Sequence, residues 1–135
     1  PALEAYRAEA RDLPVHFPGR LDHEAIPTWI GASDVVTLPS WAEGTPNVII
    51  ESLVSGRPVV ASDVGGIPAL LNHPTLGECV PARDPKSLAE ALERVLRRNH
   101  DALAIAKQAG FSDWRESAQR VLDVLNASIA TAAAQ

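Results

Sequence analysis

The sequence predicts an α/β domain, a parallel sheet with flanking helices that ends in a long helix, and three observations carry that prediction. Three short β-branched or apolar runs, Val15-His16-Phe17, Val35-Val36-Thr37-Leu38 and Val59-Val60-Ala61-Ser62, are separated by stretches of helical length. Such alternation marks successive strand-helix-strand units, whose right-handed crossovers make the strands parallel. Helix-start signals, Thr45-Pro46 and Asp84-Pro85, fall where the alternation needs a helix to begin.

The elements follow in order. The chain opens at Pro1, without Met, directly into a helical pattern over residues 2–13, which reads as a piece cut from a longer protein: a single α/β domain over 1–135, truncated at its N-terminus. After the first run, residues 23–32 have helical length and place Trp29 on an apolar face. Thr45 suits an N-cap and Pro46 the first helical position, which predicts a helix over 46–55. A weaker fourth strand is Glu78-Cys79-Val80. Asp84 as N-cap and Pro85 then open an amphipathic helix with Leu88, Leu92, Val95 and Leu96 on one face, ending near Asn99. A helix over about 101–108 stops at Gly110, and a final one begins after Ser112 with Trp114, Val121, Leu122, Leu125 and Ile129 turned inward; its alanine-rich end, 130–135, is expected to fray.

Composition narrows the function classes. At 135 residues and 46% hydrophobic content the chain can bury a core and is not disordered. A net charge of −5 argues against a phosphate-backbone footprint, so no nucleic-acid partner is expected, while nucleotides remain open. There is no apolar stretch of membrane-spanning length. The lone Cys79 excludes an internal disulfide and reads as a small core residue among apolar neighbours, with a reactive thiol as the lesser alternative. The four histidines show no metal-ligand spacing and no pairing with a nucleophile, so no metal is expected.

Ligands of open α/β sheets bind beyond the carboxyl ends of the strands, so the loops over 18–24, 39–45 and 63–68 should meet on one edge. The most informative unit there is Glu43-Gly44-Thr45-Pro46-Asn47-Val48-Ile49-Ile50-Glu51, which sets one carboxylate in a loop and the other inside an apolar helix. Burying the second unpaired is costly, so it calls for a partner or a ligand, and the N–H groups at the helix start suit an anion. The plainer alternative is a loop glutamate and a solvent-facing helix glutamate. Gly65-Gly66-Ile67-Pro68 could cradle an anion or only turn the chain; it lacks the dinucleotide spacing. Arg20, next to Leu21, could meet a phosphate or a base, or stay solvated. Trp41 could flank a ligand or cover the core.

At these residues the sequence resembles the C-terminal half of a retaining glycosyltransferase of the GT-B fold, group-one family. The resemblance rests on an ordered series: Val15-His16-Phe17-Pro18-Gly19, Ala32-Ser33-Asp34-Val35, Leu38-Pro39-Ser40, Glu43-Gly44-Thr45-Pro46 leading to Glu51, Gly56-Arg57-Pro58-Val59-Val60-Ala61, Gly65-Gly66-Ile67-Pro68, Gly77-Glu78, Asp84-Pro85 and Phe111-Ser112-Asp113-Trp114. It covers nearly the whole chain. It implies a Rossmann-like domain in which Glu43 holds hydroxyls of the donor sugar at the catalytic centre and Glu51 holds the ribose. N–H groups of Gly44, Thr45, Asn47 and Val48 would bind sugar and phosphate oxygens, and Arg20 and Leu21 would lie near the base. Ala69 stands where the family usually has a glutamate, and the diphosphate-binding Arg and Lys of the family belong to a unit upstream of Pro1.

The resemblance further implies transfer of a sugar from a nucleotide-diphosphate sugar to an acceptor glycan or lipid with retention of configuration. The nucleotide sugar is a substrate and no cofactor is expected. The acceptor would be held by a missing N-terminal domain, and this chain alone would be inactive. The implied location is cytoplasmic, with peripheral membrane attachment through the missing part as the alternative. Two rival readings are a GT-B nucleotide-sugar epimerase and a non-catalytic nucleotide-sugar-binding or interaction domain.

Overall fold

The computed structural model describes residues 2–111 and 114–133. Three strands, β1 (Val36–Leu38), β2 (Val59–Ser62) and β3 (Gly77–Val80), form a parallel sheet in the order β1-β2-β3. Val36 pairs with Val59 and Val59 in turn with Gly77. Every residue of the central strand β2 is buried, the continuous apolar run expected of a strand covered on both faces. Seven α-helices surround or extend from it among the described residues: α1 (Ala2–Glu9), α2 (Ile26–Ala32), α3 (Asn47–Val54), α4 (Ile67–Leu70), α5 (Pro85–Leu96), α6 (Ala102–Ala109) and α7 (Trp114–Ala133).

Alternation along β2 divides the core in two. Val59 and Ala61 turn to one face and join Ile49 and Leu53 of α3, Ile67 of α4 and Ile105 of α6. Val60 turns to the other and packs with Val80 against Ala91 and Val95 of α5. The Asp84 cap holds as its residue types dictate: its two carboxylate oxygens accept from the Ser87 N–H at 3.0 Å and the Ser87 hydroxyl at 2.6 Å. These bonds to Ser87 hold the Asp84 carboxyl below its ordinary range. Asp101 caps α6 with one oxygen that accepts from the Leu103 and Ala104 N–H groups, and Gly110 ends that helix in the left-handed conformation.

Several expectations are corrected. Val15-His16-Phe17 forms no strand. A strand persists only where its backbone groups find a neighbour, and here the Val15 N–H turns back to the Leu13 carbonyl at 2.7 Å. The first helix stops at Glu9 rather than at residue 13, and residues 23–32 divide into a 3-10 turn, His23–Ala25, and α2, with Pro27 accepted in the first turn of the latter. Trp29 is 45% exposed and stacks on the His16 ring, with 5.8 Å between centroids. Leu96 is also exposed, and Ala91 takes its place in the buried stripe of α5. Cys79 lies exposed on β3 and not in the core. Although the residue is exposed at the surface, the atoms packed around its sulfur desolvate the thiolate and, with the Asp63 carboxylate, push the thiol up, away from reactivity.

The long helix differs most. Val121, Leu122, Leu125 and Ile129 of α7 are exposed rather than inward, because α3 to α6 complete both core clusters without it. The Trp114 side chain, Ser112 and Asp113 lie outside what is described. Among the described residues no helix is long and apolar enough to cross a membrane.

Candidate functional site

The candidate site is built where β1 and β2 end. After Leu38 the chain turns through 39–46 into α3, and after Ser62 it turns through 63–66 into α4. The two turns are joined by their backbones. The Gly66 N–H donates to the Gly44 carbonyl at 2.8 Å, and the Gly65 Cα lies so close to the other loop that a β-carbon would meet the Glu43 carbonyl oxygen at 1.9 Å. Gly65 also has a φ of 55°, which only glycine adopts without strain. Of the two readings open for Gly65-Gly66, the tight packing turn is therefore the one with a visible cause.

This junction orders the carboxylate loop. The Ser40 hydroxyl donates to Glu43 Oε1 at 2.6 Å across the turn, and the side chain of Glu43 is half-buried. α3 begins one residue later than the residue types suggest. Pro46 occupies the capping position with extended backbone (ψ 120°), Asn47 is the first helical residue, and no side chain caps the helix. Thr45 is exposed, and its Oγ1 faces Gly66 instead of the helix start. An uncapped start leaves N–H groups of the first turn, those of Asn47 and Val48, open to an outside acceptor.

Glu51 is the fifth residue of α3, about 6 Å further along the axis. Its neighbours Ile49, Ser52 and Leu53 are wholly buried, while Glu51 is half-buried and its carboxylate has no hydrogen-bond or ion-pair partner among the described residues. Ser52, the buried polar neighbour, is satisfied internally by donating to the Val48 carbonyl at 2.6 Å. The helix thus carries one carboxylate that nothing in the described chain neutralises.

The structure brings together two of the three predicted loops. Glu43, Gly44, Thr45, Asn47, Val48 and Glu51 follow one another through the junction, whereas no hydrogen bond joins Arg20 or Leu21 to it among the described residues. Arg20 is exposed, Leu21 half-buried. Beside the junction lies a cleft of about 160 Å³ that includes Pro39, Trp41, Ser62 and Arg83 in its lining, but neither glutamate. Nothing in the sequence singles out Arg83: the order Arg83-Asp84-Pro85 announces a helix cap and says nothing of what the residue before it touches.

Residues 1–98 match the family described as glycosyl transferases group 1. The chain is 32% identical over 114 residues to a D-inositol 3-phosphate glycosyltransferase of Nocardioides sp., a match covering 82% of this chain and 25% of that protein. It is 39% identical over 82 residues to the alpha-D-kanosaminyltransferase of Streptomyces kanamyceticus, covering 61% of this chain and 21% of the relative. Among solved structures it is similar to sucrose-phosphate synthase from Thermosynechococcus elongatus, with a TM-score of 0.71 and 29% identity over 96% of this chain and 34% of that one. The chain thus spans about a quarter of the length of these curated relatives.

Proposed function

The chain belongs to the glycosyl transferases of group 1, and from that premise we propose that it is the donor-binding part of an enzyme that moves a sugar from a nucleotide-diphosphate sugar to an acceptor with retention of configuration. One observation carries the proposal: the backbone lock between Gly44 and Gly66 fixes a half-buried carboxylate, Glu43, beside the uncapped start of α3. In this reading Glu43 accepts from donor-sugar hydroxyls and Glu51 from the ribose, since ionised carboxylates are strong acceptors for hydroxyl pairs. The first-turn N–H groups take phosphate oxygens, and Arg20 and Leu21 lie toward the base. Catalysis then comes from holding the donor and stabilising charge on the departing diphosphate.

The acceptor and the remaining diphosphate contacts come from parts of the enzyme beyond this chain, so this chain alone should not turn over. Glu43 and Glu51 are not a glycosidase pair, because such a pair flanks one scissile bond and these two carboxylates serve different parts of one donor. The test is to replace each by Gln in the parent enzyme. Glu43→Gln should lower sugar transfer while free-nucleotide affinity persists; Glu51→Gln should weaken nucleotide binding itself. Wild-type kinetics in both variants would sink the assignment.

A further inference from the structure

The cleft beside the glutamate junction has a chemistry of its own. Its walls are apolar, with Pro39, Pro81, Pro85 and Leu88, and two polar functions without a strong partner face into it. Ser62, on its floor, is only 2% exposed, yet its hydroxyl makes no hydrogen bond among the described residues. The hydroxyl oxygen is not fully enclosed, so its hydrogen-bonding capacity is open to a partner within the cleft. Arg83, at the mouth, forms no ion pair among the described residues; its guanidinium carbon instead stands 4.5 Å from the centre of the Trp41 ring.

Arg83 is also, among the described residues, the one residue other than glycine with positive φ, at 63°. A long side chain held in that conformation is an imposed geometry, and such outliers gather where a side chain must be aimed. The carboxylate in the lining, Asp84, is committed elsewhere, both oxygens accepting from Ser87. The space of about 160 Å³ is on the scale of a cavity that holds benzene, and because the cleft is open on one side it can take one face of a sugar ring while the ring's substituents extend outward.

We propose that this cleft binds a single sugar-sized ring bearing a carboxylate or phosphate, with the anion on Arg83, a ring hydroxyl on Ser62 and the ring against the prolines. Neither Glu43 nor Glu51 lines the cleft, although Trp41 belongs to the Glu43 loop, so the test does not require the donor assignment. The probes are glucuronate for the carboxylate, glucose 6-phosphate for the phosphate, and glucose and inorganic phosphate as the separate parts. They are titrated into this chain while the indole N–H resonance of Trp41, identified by its loss in Trp41→Phe, is followed.

A saturable shift is expected with at least one of the two anionic sugars, and the one that binds names the anion. Affinity for glucose and for phosphate should be at least about tenfold lower, the factor expected when one charge-assisted hydrogen bond is missing. Arg83→Gln should lower the affinity of the binding sugar by a similar factor. If that variant loses the native spectrum, Ser62→Ala takes its place, with a several-fold loss expected. No shift with either anionic sugar, an equal response to glucose, or undiminished affinity in the folded variant would overturn the proposal.

Discussion

Gly65 and Glu43 stand in backbone contact: a β-carbon on the glycine would lie 1.9 Å from the Glu43 carbonyl oxygen. Two loops that follow different strands are thereby held as one piece, and the helix bearing Glu51 starts from it. The position of the carboxylates is thus a property of a glycine twenty-two residues away in sequence from the first of them.

Gly65→Ala should destabilise the fold by at least about 2 kcal/mol, because the alanine must both adopt a left-handed conformation and displace backbone. Gly66→Ala should cost less, since φ there is −84° and the nearest atom, the Gly44 carbonyl oxygen, is 2.7 Å from the added carbon. Denaturant titration of both variants checks the order. Equal stability would mean that the loops separate freely.

Ser40→Ala tests whether the carboxylate must be held. The hydroxyl donates to Glu43 at 2.6 Å, so its loss should change stability by only about 1 kcal/mol. Calorimetry on the parent enzyme should show nucleotide-sugar affinity falling more than free-nucleotide affinity. An identical fall in both would place Glu43 away from the sugar.

Core and surface leucines should separate cleanly. Leu53 of α3 is wholly buried, and Leu53→Ala should cost about 2–5 kcal/mol. Leu122 of α7 is 49% exposed, and Leu122→Ala in this chain should stay within about 0.5 kcal/mol. A large loss at Leu122 would show that α7 packs on the domain.

Glu78 predicts how acid acts on β3. Its carboxylate accepts from Arg94 at 2.7 Å and from Arg98, and the Arg94 hydrogen bond leads in holding its pKa below the ordinary 4.5. A carboxyl lowered in the folded state contributes stability that is present above its unfolded pKa and is lost as pH falls through the folded one. Both guanidinium groups are largely open to water, so Glu78→Gln should cost roughly 1 kcal/mol or less at neutral pH. Thermal melts across the acid range should show the gap between wild type and variant closing as pH drops below about 4.5. A gap independent of pH would remove the ion pairs from the account.

What could be read without coordinates follows a pattern. β1, β2 and the helices after Asp84 and Asp101 were legible because each is announced locally, by β-branched runs or by a capping carboxylate with Pro or an apolar stripe behind it. The placement of Glu43 in a loop and of Glu51 within a helix was legible for the same reason, since the nine residues from one to the other span a single loop-to-helix turn. Val15-His16-Phe17 and the stripe of α7 misled because their residue types invite a neighbour and nothing in sequence says whether one exists.

By itself, then, the amino-acid order determined the class of fold, the parallel strands and the carriers of negative charge at the sheet's edge. Only the tertiary structure decided that Gly65-Gly66 packs against Glu43-Gly44, that Arg83 covers Trp41, and which apolar faces are closed. The reason is one of range. Propensity and capping act within a few residues along the chain, whereas close backbone approach, ring contacts and burial depend on segments that meet only once the sheet has brought them side by side.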